Sequence, residues 1–498
     1  MTANSQTSPL SPSSRTASRI VSWCDARRWA LLVSGALVAW SLALFLLVRS
    51  QYTSFELGRF DLGNMVQAVW STAQGRPLET TMAGGEQITR LGVHVDPILA
   101  LVTPLWMLVP SPLTLAAVQI AAVSLGALPV FWLARKHLGS QKAAALLALA
   151  YLASPWIAWN AVDAMHPKTF AIPLFLFAIW FLDNDRLGAF AAAAVATAAC
   201  GELMGVTIAA LGLWYAFARG RRREGLAIAV AGAAWTAVAL FVIVPAFSGD
   251  ESAYYGLYDH VGGSPSGILE TAFVDPGAIV SALTEGRDVL FLFLLAAPLL
   301  GLFVLAPGMA LVAAPQLLVN ALADSGGPAD PRHHYLAGVI PFLFAAVAIG
   351  LGRLAPDRRV PVSGIVLGVS LMLAVLLGPW PGIEREPIRY EIEAPRGHAE
   401  VLRRAVALIP EDAPVSATNK VGAHLAAREY LFTVPVVRHA EWIVVDTRDN
   451  WVSHGGLPFL VERPPAEVRA FSERISQSGM WETALAEDGV FVFRRLSR

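Results

Sequence analysis

Acids, imidazoles and cations recur in this chain in short clusters, each beside a long apolar run. Phe60-Asp61-Leu62-Gly63-Asn64 is followed by Gln67 and Trp70. Then come His94-Val95-Asp96-Pro97, Asp163-Ala164-Met165-His166-Pro167-Lys168, a lone Glu202, and Asp330-Pro331-Arg332-His333-His334-Tyr335. Glu202 is the most isolated, since 187–201 and 203–218 carry no charge. A carboxylate near lipid depth is costly and faces a protein interior or a water-filled cavity. The plainer alternative is a helix connection at the water interface. Asp61, Asp96, Asp163 and Glu202 can serve as general bases, as metal ligands or as partners for cations. Apolar walls raise a carboxylate pKa, which suits acid/base work. His94, His166, His333 and His334 can bind phosphate, relay protons or coordinate a metal. Arg332 and Lys168 suit a phosphate or pyrophosphate. Taken singly, each is equally a loop residue that caps a helix or pairs with a neighbour. No zinc-type ligand spacing, Walker A, G-x-S-x-G or G-x-G-x-x-G motif accompanies them.

The elements that must position these residues are membrane helices. Of 498 residues, 55% are hydrophobic and 15% charged, against about 25% charged in a soluble protein. Mean hydropathy is +0.54, and uncharged runs near the length of a bilayer crossing recur. A net charge of −1 gives no reason to expect nucleic acid. Cys24 and Cys200 imply no disulfide or metal framework. Residues 1–28 read as a disordered cytoplasmic tail, and the next run, Trp29–Val48, reads as a retained first helix rather than a signal peptide. Crossings are expected at about 29–49, 112–134, 143–160, 169–182, 187–201, 203–218, 225–247, 289–306, 308–323, 336–352 and 360–380, about eleven in all. Lys and Arg cluster at Arg27/Arg28, Arg135/Lys136/Lys142, Arg219 to Arg223 and Arg353/Arg358/Arg359. These define the inside, with the N-terminus in and the C-terminus out.

Two stretches are ambiguous. Residues 187–218 are long for one crossing and short for two, and we read two short crossings that meet at Gly201-Glu202. Residues 97–109 are apolar but interrupted by Pro97 and Pro104, and read as an interfacial or re-entrant piece. This topology sends the chemical clusters to the outer ends of at least four hairpins, the first on a long outer loop, 50–96.

Phe60-Asp61-Leu62-Gly63 with Gln67 and Trp70, followed by His94-x-Asp96-Pro97, His166-Pro167, Gly201-Glu202 and His334-Tyr335, resembles the pattern of the domain-of-unknown-function family numbered 2079. The resemblance covers most of 50–350 and extends more loosely to the C-terminus. That family is similar to the GT-C superfamily of membrane glycosyltransferases, which carry a catalytic acid on a large first outer loop and use polyprenyl-phosphate sugars. The resemblance implies a polytopic α-helical, GT-C-like membrane protein in the cytoplasmic membrane that performs inverting glycosyl transfer to a cell-envelope glycan, lipid or protein. Asp61 is then the catalytic base, with Asp96 and Glu202 as further catalytic carboxylates. His94, Asp163, His166, Lys168, Arg332, His333, His334, Tyr335, Gln67 and Trp70 are substrate-binding candidates. Some GT-C families have an acidic pair where this chain has Asp61-Leu62, so Asp96 or Glu202 would supply the second carboxylate. A divalent cation (Mg or Mn), if used, would sit on Asp61, Asp96 or Glu202.

Charge rises sharply after 380, from Glu384-Arg385-Glu386 onward, so 29–380 forms the membrane domain and 381–498 a small outer α/β domain. Ala399–Leu408 and Pro465–Ser478 read as helices. Val415–Thr418, Val434–Val437, Trp442–Asp446 and Gly489–Arg494 read as strands. Asn419, His424 and Asp446 fall at strand ends, as turn and capping residues or as part of a site. Three function classes stay open: a glycosyltransferase, a transporter or flippase of a lipid-linked intermediate, and a non-catalytic envelope-binding protein.

Overall fold

Prolines and left-handed residues decide where the apolar runs become helices. The computed structural model describes residues 12–163, 165–249, 252–380, 396–453 and 460–496. Among these, four helices are long and apolar enough to cross a membrane: Arg27–Thr53, Pro112–Leu138, Arg222–Ser248 and Pro356–Leu377. A fifth candidate is the pair Gln141–Ala153 and Pro155–Val162, bent by 50°. The bend falls at Ser154, whose extended backbone (ψ 125°) is what a following proline demands.

The structure corrects several expected crossings. The first helix begins at Pro12, so the tail expected over 1–28 is helical from there on. The 289–306 and 308–323 crossings are broken. Gly286–Ala296 is followed by short 3-10 turns, and Pro307–Ala321 is a shorter apolar segment. The cause is local: Leu300 and Gly301 take φ of 54° and 65°, and Pro298, Pro307 and Pro315 withhold backbone donors. Leu187–Ala198, Met204–Ala218 and Ile340–Leu351 are also short apolar helices. The turn between the first two carries Glu202, as the sequence suggests. Pro97–Val102 and Thr103–Leu108 form a short apolar piece with Leu101, Met107 and Leu108 exposed.

Small residues allow the tightest helix pairing. Met204–Ala218 packs on Arg222–Val238 through Gly205, Gly212, Gly225 and Gly232. A side chain at Gly212 would lie 2.6 Å from the Ala229 nitrogen and 2.7 Å from the Gly225 carbonyl. Such close backbone approach is a common mode of membrane helix association.

Arg396–Ala407 opens a separate α/β unit; residues 381–395, with Glu384-Arg385-Glu386, lie outside the described residues. A five-stranded sheet has the order Leu431–Thr433, Val415–Ala417, Trp442–Asp446, Val490–Arg495, Trp481–Glu487. The first three strands are mutually parallel, and Val490–Arg495 runs antiparallel to both of its neighbours. The strand expected at Val434–Val437 lies instead at Leu431–Thr433, and Pro435 falls beyond its end, where no ladder donor is required. Trp481–Glu487 was not expected. Pro465–Gln477 packs on the sheet through Val468 and Phe471.

This unit caps one end of the helical bundle. It grips the segment after the first helix: Gln67 Nε2 donates to the carbonyls of Arg428 and Glu429 at 3.1 and 2.9 Å. A short hairpin, Glu79–Thr81 with Gln87–Thr89, joins the contact.

Candidate active site at the capped end of the bundle

Asp61 sits on a single π-helical turn, Arg59–Gly63, clamped from behind by the C-terminal unit. Arg59 is fully buried. Its guanidinium donates to Thr433 Oγ1 and to the Leu431 carbonyl, both at 2.9 Å, and to the Thr81 carbonyl. Burial pulls its pKa down to about 10, so it stays cationic at neutral pH. Phe60 N donates to Asn419 Oδ1 at 3.0 Å. Gly422 lies so close that a side chain there would sit 2.7 Å from Arg59 Cβ. The Asp61 side chain itself is about half exposed (48%), so the clamp holds the backbone and leaves the carboxylate free to face a cavity.

That cavity has a volume of about 540 Å³. Its walls include Asp61, His94, Asp96, His166, Lys168, His334 and Tyr335, all expected from the sequence, with Arg90 and Tyr254, which were not. A larger groove of about 820 Å³ on the C-terminal unit, around Trp442, Met480 and Arg494, holds none of the expected residues.

Lys168 and the imidazoles are held by two carboxylates just behind the walls. Glu202 is buried. Its Oε1 lies 3.4 Å from His94 Nδ1 and 3.6 Å from Lys168 Nζ, and its Oε2 accepts from Val95 N at 3.2 Å. Burial favours the protonated carboxyl, but Lys168 and His94 outweigh it and hold Glu202 well below the usual carboxylate range. Burial, aided by Lys168, lowers the pKa of His94 against the pull of Glu202. His94 stacks on Tyr254 at 4.8 Å. Lys168 Nζ lies 5.8 Å from the Tyr335 ring centroid.

Asp163 is the second anchor. Burial opposes its charge, yet His166, His334 and His333 override it and keep the carboxyl far below its ordinary range. His166 Nε2 lies 3.5 Å from Asp61 Oδ1. Burial works against the imidazolium, but Asp163 and Asp61 raise His166 to about 9. His334 stacks on His166 at 3.8 Å. Burial and the neighbouring His166 push its pKa well below the ordinary histidine value.

The loop bearing Asp163 and His166 is fastened by Gln119. Its Nε2 donates to the carbonyls of Asn160, Ala161 and Asp163 at 3.2–3.3 Å, and its Oε1 accepts from His166 N at 2.8 Å. A lone buried amide in an apolar run is the same signal that singles out Glu202, and it was there to be read.

Besides Glu202 and Asp163, four expected residues are not on the cavity walls. Gln67 is buried under the C-terminal unit and also donates to Thr81 Oγ1 at 3.0 Å. Trp70 stacks under Arg76, 5.3 Å from centroid to guanidinium. Arg332 makes a bidentate pair with Asp330, its Nε 3.0 Å from both oxygens. His333 is the most exposed of the site imidazoles.

Asp61, Asp96 and Glu202 do not assemble as joint ligands for one cation. Asp96 is engaged by Arg90, with Nε at 3.1 and 3.2 Å, and Glu202 is engaged by Lys168 and His94. Among the described residues, the set whose ligand atoms come within reach of one ion is Asp163, His166 and His334.

The fold recurs in solved structures. ArnT from Cupriavidus metallidurans bound to undecaprenyl phosphate superposes with a TM-score of 0.53 at 13% identity, over 95% of this chain and 99% of that one. The same protein in the apo state gives 0.49 at 14% identity, over 95% and 98%. At this identity the likeness shows the fold alone, and it supports the GT-C-like architecture expected from the sequence. No functionally curated protein matches the chain. The family model described as "Predicted membrane protein (DUF2079)" matches residues 51–492, and the chain belongs to that family.

Proposed function

We propose that this protein is a membrane glycosyltransferase that moves a sugar from a polyprenyl-phosphate donor to a cell-envelope acceptor. The observation that carries this reading is the cavity itself. A half-exposed carboxylate, a lysine and paired imidazoles converge on about 540 Å³ at one end of a helical bundle whose fold is shared with a protein solved bound to undecaprenyl phosphate. The Lys/Arg bias of the loops at the opposite end supports an orientation with the cavity and C-terminal unit outside, and the reading places the protein in the cytoplasmic membrane.

In this reading Asp61 takes the proton of the acceptor hydroxyl as its oxygen attacks the anomeric carbon. The bond from that carbon to the phosphate oxygen breaks, and the electron pair leaves on the polyprenyl phosphate. Lys168 offsets the charge that develops on the phosphate, a role in which a fixed cation in a partly dry site is effective. Glu202 and Asp163 are positioning residues: the first aims Lys168 and His94, the second His166 and His334. Arg90 and Asp96 form a neutralised pair in the wall. Arg332 and His333, expected at the phosphate, are not among the residues that line the cavity.

The test is a transfer assay on the purified full-length protein in lipid, with a panel of radiolabelled polyprenyl-phosphate sugars and envelope extract as acceptor. Wild type transfers label, while Asp61→Asn, folded to the same melting temperature, does not. Binding of a lipid-linked sugar without turnover by wild type, across the panel, would overturn the enzyme reading in favour of transport or binding.

A further inference from the structure

We propose that Asp163, His166 and His334 form a binding site for a divalent first-row transition metal of the zinc class, with one position open to the cavity. The three residues come from two segments about 170 positions apart, so no local spacing announces them.

Asp163 Oδ2 lies 3.3 Å from His334 Nδ1 and 3.7 Å from His166 Nδ1. The ligand atoms of the three residues all fall within 4.8 Å of one another. Around an ion with bonds of about 2.0–2.2 Å, tetrahedral ligand atoms are separated by about 3.3–3.5 Å. The two carboxylate–imidazole edges therefore need to move only by tenths of an ångström. The imidazoles are stacked, 15° apart with centroids 3.8 Å apart, and both present Nδ1 to the same carboxylate oxygen; one ring turns out of the stack to bring both in-plane lone pairs onto one ion.

The surrounding groups complete the case. Binding through His166 Nδ1 places its proton on Nε2, which faces Asp61 Oδ1 at 3.5 Å. A carboxylate behind a ligating histidine is the usual orienting arrangement. The contact of His166 Nδ1 with the Asp163 carbonyl, 3.0 Å, is given up in exchange. Gln119 fixes the backbone of Asp163 and His166. His334 N donates to Asp163 Oδ2 at 3.2 Å. His166 and His334 both line the cavity, so three protein ligands leave a position for an exogenous oxygen. A set of two imidazoles and one carboxylate favours zinc or cobalt over magnesium or manganese. Given the transferase reading, that exogenous oxygen belongs to the phosphate or to the acceptor hydroxyl.

Full-length protein in lipid, stripped with chelator, should be titrated with Co²⁺ and the visible absorption followed, then back-titrated with Zn²⁺. One Co²⁺ per chain with an intense tetrahedral-type band, displaced by Zn²⁺ and not by Mg²⁺, is expected. His334→Ala and Asp163→Asn should weaken binding by more than about 100-fold, the upper end of the loss from a missing outer-shell partner. Glu202→Gln should leave metal affinity unchanged. Should the ligand variants fail to fold, X-ray absorption on the Zn²⁺-loaded wild type must show two imidazole nitrogens among its ligands. No uptake by folded wild type, or equal uptake by folded His334→Ala, overturns the site. Transfer that persists in stripped protein incapable of metal uptake removes the site but keeps the transferase. Stoichiometric metal with no transfer does the reverse.

Discussion

Two aspartates, one near each end of the Ala171–Asp183 helix, are each surrounded by basic side chains, and they differ in kind: Asp183 is buried and Asp163 partly exposed. At the end away from the C-terminal unit, Asp183 takes Lys136 Nζ at 2.6 Å, His137 Nε2 at 3.1 Å and Arg219 Nη1 at 3.4 Å. Two of the three partners are permanent cations, supplied by the ends of two other helical segments. The cluster fastens helix ends, and none of it lines the cavity. At the capped end, Asp163 is ringed by three imidazoles at 3.3–3.9 Å, two of which face the cavity. Imidazoles gain or lose protons near neutral pH and can exchange a proton for a metal, whereas lysine and arginine ordinarily stay charged there. A carboxylate satisfied by fixed cations is a fastener. A carboxylate loosely held by exchangeable ones is poised for chemistry.

The comparison breaks most sharply under paired substitutions. Asp61→Asn should lower transfer by about 10²–10⁴-fold while the melting temperature stays put. Asp183→Asn should do the opposite. It strands two cations that are about one-third exposed, so the destabilisation is about 2–3 kcal/mol rather than the full cost of a buried pair. The rate per folded molecule should hold. Assay and thermal unfolding on the same preparations decide it: a loss of rate per folded Asp183→Asn molecule would make both clusters functional.

A third carboxylate sharpens the contrast. Among the described residues, no side-chain cation bonds the Asp449 oxygens, which accept from Lys420 N at 2.6 Å and Trp451 N at 3.4 Å. Burial raises it to about 6 despite Lys420. The native state therefore holds this proton more tightly than the unfolded chain. Its stabilising effect is complete below about pH 4. It is lost as pH rises towards 6, by about 3 kcal/mol in total, and is flat above. Hydrogen exchange of the Trp442–Asp446 strand, followed from pH 4 to 7 and corrected for intrinsic rates, should show that decline, and Asp449→Asn should abolish it. The paired acids Asp163 and Glu202, both depressed, contribute with the opposite sign: their stabilisation is complete above the ordinary carboxylate range and is lost as pH falls below it.

The chemical half of the site was legible because its residues come in contiguous clusters. Asp61, His94, Asp96, His166, Lys168, His334 and Tyr335 all reach the cavity, and the pause in the apolar pattern at Glu202 is a real turn. What was illegible depends on contacts between distant segments. Arg90 is a single cation in the 50–96 loop, and only the fold shows that it pairs with Asp96. Asn419 gives no sign, in a turn of the C-terminal unit, that it meets Phe60. The breaks in the expected 289–306 and 308–323 helices were illegible for a related reason. Hydropathy registers apolar length, whereas Leu300, Gly301 and the prolines around them break the 289–323 run without making it less apolar.

The clamp behind Asp61 is also breakable without touching the cavity. Gly422→Ala would place a methyl 2.7 Å from Arg59 Cβ. Arg59 is buried and triply bonded, so the strain cannot relax cheaply, and a loss of about 1–3 kcal/mol is expected. Thermal unfolding measures it, and unchanged stability would show that the interface yields.

The smallest effect should come from Asn419, and it tests whether the capped end is held as softly as its distances suggest. Asn419 Oδ1 is the acceptor for Phe60 N, one residue before the carboxylate. Asn419→Ala removes that acceptor and leaves a half-buried N–H to find water, at about 1 kcal/mol. Arg59 still anchors the turn through Thr433 and Leu431, so the fold survives and the loss goes into the aim of Asp61. Transfer should fall by about 5-fold to 10-fold in kcat, with KM for the donor unchanged, since misplacing a reacting group costs rate rather than affinity. Asn419→Asp, which keeps an acceptor at that position, should recover most of the rate. A merely structural role would instead lower the melting temperature, leave kcat per folded molecule intact and show no recovery with Asp. It would make the C-terminal unit a lid on the bundle rather than the support of its base.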